Sequence, residues 1–146
     1  MYFVDRSKIR ETVSHIDDLL SIYEDIRVKT AIGQLSLERL THVLIESIID
    51  VGNMMIDGFI MRDPGSYQDI IDILIDEKVI PADEETAYKE IIQLRKMLVA
   101  DYLNVDHQQL DEKLTLHLQI YKQFSTHILT YLDNELGVAN AFSNEK

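Results

Sequence analysis

The chain has 146 residues, 46% of them apolar, no cysteine and a formal net charge of -12. That is enough chain for one domain with its own core, and the missing cysteines exclude disulfides, thiolate metal sites and cysteine nucleophiles. The acidity argues against a broad nucleic-acid groove, which needs a basic footprint, but it leaves room for a local phosphate site around one or two basic side chains.

No apolar run follows basic residues at the start, and none approaches the roughly 18 residues of a membrane helix. A soluble, cytoplasmic chain without membrane contact is expected. Only 5 Gly and 2 Pro are present to interrupt helices.

In chain order, Val4, Ile9, Val13, Ile16, Leu20 and Ile26 recur at helical steps and predict a first helix from about Asp5 to Lys29. Thr30 to Gln34, with Gly33, reads as a connection. Ser36 is the expected N-cap of a second helix over about Leu37 to Met61. Its apolar residues cover most of the circumference, which places it near the centre of a bundle. One polar stripe remains: Arg39, His42, Glu46, Asp50, Asn53 and Asp57.

Asp63-Pro64-Gly65 ends that helix, and Ser66 with Asp69 makes a capping-box-like start for a short third one. Val79-Ile80-Pro81 is an apolar turn. Asp83 is the expected cap of a helix running from Glu84 to Tyr102. Asn104-Val105 breaks it, and Asp106 with Gln109 opens a last helix to about Leu136. Gly137 is expected to end that helix. The prediction is one all-α domain over residues 1–136, an antiparallel bundle of about five helices, with a flexible tail over 137–146.

Within the fourth predicted helix, Arg95 and Tyr102 stand seven residues apart, on one side of a helix. A guanidinium against an apolar arc keeps its proton and needs an acceptor. That acceptor is either a carboxylate of the second helix, Glu46 or Asp50, or a phosphate. Two carboxylates at four-residue spacing also suit a divalent ion. No His stands at the spacing that di-metal bundles use, so no metal or other cofactor is expected. The five His residues lie on separate stretches and read as ordinary polar positions.

The order of landmarks resembles the HepT-like branch of the HEPN superfamily, the ribonuclease-toxin half of bacterial two-component modules. The matching pieces are Leu37-Glu38-Arg39, Ile45-Glu46, Asp50, Pro64, Ser66-Tyr67 and Asp69, then Leu74, Val79-Ile80, Leu94-Arg95, Leu98-Val99 and Tyr102. The resemblance covers most of the chain from about Leu37 to Phe124. The family signature is Arg, four to six spacers, His, one residue and Tyr, often with Asn after the Arg. Arg95 and Tyr102 match it. Lys96 stands where Asn is common, and Ala100 stands where the His belongs.

The resemblance implies a HEPN-like homodimer partnered by a minimal nucleotidyltransferase antitoxin, with RNA as substrate. In it, Arg95 and Tyr102 are the retained catalytic signature, Arg95 and Lys96 bind the RNA phosphate, and Glu46 and Asp50 orient the guanidinium. Tyr102 is the position that a nucleotidyltransferase modifies. Ribonuclease chemistry needs a base for the ribose 2′-hydroxyl, a task that suits imidazole. Ala100 cannot do this, and Asp101, a carboxylate near a guanidinium, is a poor replacement. Nuclease activity is therefore expected to be weak or lost. The alternatives are a catalytically inactive helical dimer that binds, scaffolds or senses nucleotides, and a structural Arg–carboxylate pair with no ligand at all.

Overall fold

The computed structural model describes residues 4–143, and among them every regular element is helical. Helix α1 is Arg6–Tyr23, α2 Ala31–Gly58, α3 Tyr67–Asp76, α4 Glu85–Gln93, α5 Arg95–Val99, α6 His107–Leu116 and α7 Leu118–Ser143, with a 3-10 turn at Ala82–Glu84 before α4. Among the described residues seven α-helices stand where about five were expected, because two of the predicted long helices are each broken once.

Helix α2 is the central element: it packs against α1, α3, α5 and α6, while α7 closes over α1 and α4. Leu37, Leu44, Ile45, Ile48, Val51 and Met55 on α2 are fully buried, as are Tyr88, Tyr121 and Phe124 from α4 and α7. None of the helices among the described residues is long and apolar enough to cross a membrane.

The boundaries differ from expectation in ways that local chemistry explains. Helix α1 stops at Tyr23, six residues short of Lys29. There the Tyr23 hydroxyl donates to Asp111 Oδ1 at 2.5 Å and lies 2.7 Å from Thr115 Oγ1, tying the helix end to α6. Helix α2 starts at Ala31, not after Ser36. Its cap is Thr30, whose Oγ1 accepts from the Gly33 N–H at 2.9 Å. Gly33 lies inside the first turn, and a Cβ there would sit 1.7 Å from the Arg27 carbonyl oxygen. Helix α2 ends at Gly58 instead of Met61, and the chain turns through Ile60 at φ 57°.

Ser66 caps α3 as expected, accepting from the Asp69 N–H at 3.0 Å. Asp69 in turn accepts two bonds from Arg62, at 2.7 and 2.9 Å, which hold its carboxyl well below the usual range. Asp83 caps nothing; it lies within the 3-10 turn. The expected helix to Tyr102 breaks at Leu94, which is buried, and stops at Val99. The expected final helix breaks at His117, whose Nε2 lies 2.8 Å from Glu90 Oε2. Helix α7 then passes through Gly137 to Ser143, so that glycine does not end it. Of the tail expected over 137–146, residues 144–146 lie outside the described residues.

Candidate functional site: a held guanidinium beside an open groove

The break at Leu94 starts a new helix at Arg95, and α5 lies against α2. Leu94 is 5% exposed and anchors the junction in the core. From there Arg95 Nε donates to Glu46 Oε1 at 2.7 Å. The guanidinium carbon stands 4.8 Å above the ring of Tyr67, the first residue of α3. A charge-assisted bond in the guanidinium plane and an aromatic ring below that plane together leave it little freedom.

Glu46 Oε1 is shared. His42, one turn earlier on α2, places Nε2 3.2 Å from the same oxygen, and His42 Nδ1 lies 3.2 Å from Arg39 Nη1. A guanidinium only donates. His42 Nδ1 is therefore the acceptor, and the imidazole proton sits on Nε2, directed to Glu46. Side chains of Arg95, Glu46 and His42 are 29%, 34% and 28% exposed. The pair is thus neither dry nor fully in water, and its contribution to stability is modest.

The bond to Glu46 uses Nε alone. Neither Nη of Arg95 has a hydrogen-bond acceptor among the described residues. Arg95 lines an open groove of about 420 Å³ with Tyr67, Gln93, Lys96, Val99 and Ala100. Lys96 and Ala100 are exposed on its wall, so a second cation and a methyl group face the same space.

Two expectations about this region are corrected. Tyr102 does not share a helix face with Arg95, because α5 ends at Val99; it sits in the following turn, 65% exposed. Asp50 does not reach Arg95. It lines a separate groove of about 760 Å³ with Lys8, His15, Asp18 and Asp57, where α1 meets α2. Asp101 is exposed beside Tyr102. His107 is engaged elsewhere, with Nε2 2.6 Å from Glu38 Oε2. Among the described residues no three His, Asp or Glu side chains gather to hold a metal ion. Sequence reasoning gave Tyr67 no role in the site. Ser66-Tyr67 stood among the family landmarks and the Ser66 cap fixes Tyr67 at the start of α3, but neither signal says anything of α5.

Residues 3–128 match the family described as "Ribonuclease HepT-like". A relative from Bacillus subtilis (strain 168), named "Putative RNase YutE", is 47% identical over 143 residues, covering 97% of this chain and 99% of that protein. A solved structure described as that of the "Cytosolic Protein of Unknown Function YutE from Bacillus subtilis" superposes with a TM-score of 0.91 at 47% identity, over 94% of this chain and 96% of the other.

Proposed function

The chain belongs to the HepT-like ribonuclease family, and from that premise we propose that it is the toxin-side component of a bacterial two-component module. In this reading it acts in the cytoplasm as a homodimer, with a minimal nucleotidyltransferase as its partner. Each protomer binds a phosphate of single-stranded RNA at Arg95, with Lys96 adding charge, and cleaves it weakly or not at all.

One observation carries the reading. A guanidinium is held at Nε and across its face, while both its Nη groups remain available beside an open groove. Such a fork matches two phosphate oxygens. It also meets half of what RNA cleavage needs, the stabilisation of charge on the phosphorane. The other half is a base for the 2′-hydroxyl, and at the motif position Ala100 offers a methyl group. The imidazole nearest by bonding, His42, has Nδ1 occupied by Arg39 and its proton turned to Glu46. With a net charge of -12, binding is confined to this local site.

Ala100 equally favours a second reading, in which the dimer has given up cleavage and serves as a binding or nucleotide-sensing subunit. The test for both is a binding and cleavage series on single-stranded RNA, with wild type and Arg95→Ala. Binding that disappears with Arg95→Ala, with little or no cleavage by wild type, is expected. Robust cleavage by wild type defeats the claim about Ala100. Binding that ignores Arg95→Ala defeats the phosphate site.

A further inference from the structure

Tyr67 stands between two grooves. One contains Arg95. The other, of about 430 Å³, is lined by Asn53, Pro64, Gly65, Ser66, Tyr67 and Ile70. Ser66 and Tyr67 belong to both. We propose that the second groove receives the unpaired base of the RNA nucleotide whose phosphate Arg95 binds. The inference rests on the phosphate reading of Arg95 and adds the chemical class of what lies next to that phosphate.

Three features fit a flat, neutral heterocycle. Pro64 and Tyr67 provide apolar walls, and Tyr67 is 47% exposed although Arg95 lies over its ring. Ile70, only 2% exposed, is held rigidly because α3 lies close on α2: a Cβ on Gly52 would come within 2.4 Å of Ile70 Cγ2. The Asn53 carboxamide is half-buried and has no hydrogen-bond partner among the described residues. A carboxamide offers a donor and an acceptor side by side, the pattern that a base edge completes.

The charge balance favours the same occupant. A base carries no charge and is not repelled by a chain of net charge -12, whereas a second phosphate is. Bases in a duplex are stacked on one another and cannot enter, so the site selects unpaired RNA. The nucleotide then spans Tyr67, with its phosphate on the Arg95 side and its base on the Asn53 side.

The test is titration of the full chain with the four nucleoside 5′-monophosphates and with ribose 5-phosphate, which lacks a base, followed by amide NMR shifts. Nucleotides bind about ten-fold more tightly than ribose 5-phosphate, the size of one paired contact to a base edge. Asn53→Ala removes most of that advantage and leaves ribose 5-phosphate unchanged, while Arg95→Ala weakens both ligands. Equal affinities in wild type, both lost in Arg95→Ala, overturn the base site and leave the phosphate reading standing. Indifference of both ligands to Arg95→Ala sinks the phosphate reading and the base site with it. An Asn53→Ala protein that binds nucleotide normally but changes its oligomeric mass shows a second copy in the groove, and overturns the proposal.

Discussion

Glu46 grips Arg95 at Nε, 2.7 Å away, and so leaves the outer fork of the guanidinium uncommitted. A carboxylate that merely neutralised the charge has a better geometry available, the bidentate one that Arg62 and Asp69 adopt on the same molecule. The single Nε bond positions the side chain and keeps two nitrogens for another acceptor.

The first prediction separates positioning from stability. Both partners of the Glu46–Arg95 pair are about a third exposed, so the pair contributes about 1 kcal/mol or less. Arg95→Ala is expected to lower the melting temperature by no more than about 4 °C while reducing RNA binding at least about ten-fold. Glu46→Gln keeps the guanidinium but loosens it, so binding weakens less than in Arg95→Ala. Calorimetry and fluorescence anisotropy on the same preparations check this. A large melting shift with unchanged binding assigns Arg95 to structure alone.

A second prediction concerns the methyl group on the groove wall. Ala100 is exposed and close to the end of α5, so a larger side chain meets no core there. Ala100→His supplies an imidazole to the groove that contains Arg95. The variant is expected to cleave single-stranded RNA where wild type does so weakly or not at all, with activity rising as pH passes through about 6.5, the ordinary imidazole range. The gain depends on Arg95: the double variant with Arg95→Ala stays inactive. Gel analysis of labelled RNA reads both outcomes, and an Ala100→His protein as inert as wild type counts against this groove as the reaction site.

The all-helical fold was legible because apolar residues recur at helical steps from Val4 to Leu132 and few breakers interrupt them. The two interior breaks were not, because neither Leu94 nor His117 is a breaker by type. One is pulled into the core and the other is tied to Glu90, and both are tertiary effects. Gly33 misled in the other direction. It reads as a loop residue, yet it opens α2, where the Arg27 carbonyl approaches too closely for any side chain. At the site, the need of Arg95 for an acceptor, a carboxylate or a phosphate, was visible in the sequence, but not the choice between Glu46 and Asp50. They share one stripe four residues apart, and only the crossing of α5 over α2 decides between them.

The third prediction follows from Tyr23. Burial first, and then its bond to Asp111, push the phenol up to about 12. The folded state therefore holds this proton more tightly than the unfolded chain, whose phenol titrates near 10. Stability from this group is complete below about pH 10 and is lost as pH rises toward 12. Burial pushes Tyr88 and Tyr121 higher still, so they add to the same alkaline loss. Chemical denaturation at pH 8 and pH 11 is expected to show a marked fall in stability for wild type and a smaller fall for Tyr23→Phe. The same alkaline slope in both proteins removes Tyr23 from the account.

The last prediction uses the contrast among tyrosines. Modification by a nucleotidyltransferase requires a hydroxyl that can enter another enzyme's active site. The hydroxyls of Tyr23, Tyr88 and Tyr121 are committed to Asp111, Glu84 and the Ala87 carbonyl. Tyr67 lies under Arg95 and is 47% exposed, whereas Tyr102 stands in a turn at 65% exposure. Incubation with a minimal nucleotidyltransferase of the kind proposed as partner and a nucleoside triphosphate is therefore expected to label Tyr102 ahead of every other described tyrosine. Intact-mass spectrometry reads the added nucleotidyl group, and peptide mapping places it. Tyr102→Phe should abolish the label while leaving Arg95-dependent RNA binding in place, since the turn lies beyond the helix that carries Arg95. Labelling that persists in Tyr102→Phe and maps to Tyr67 instead would put the modification inside the groove, where it blocks RNA directly.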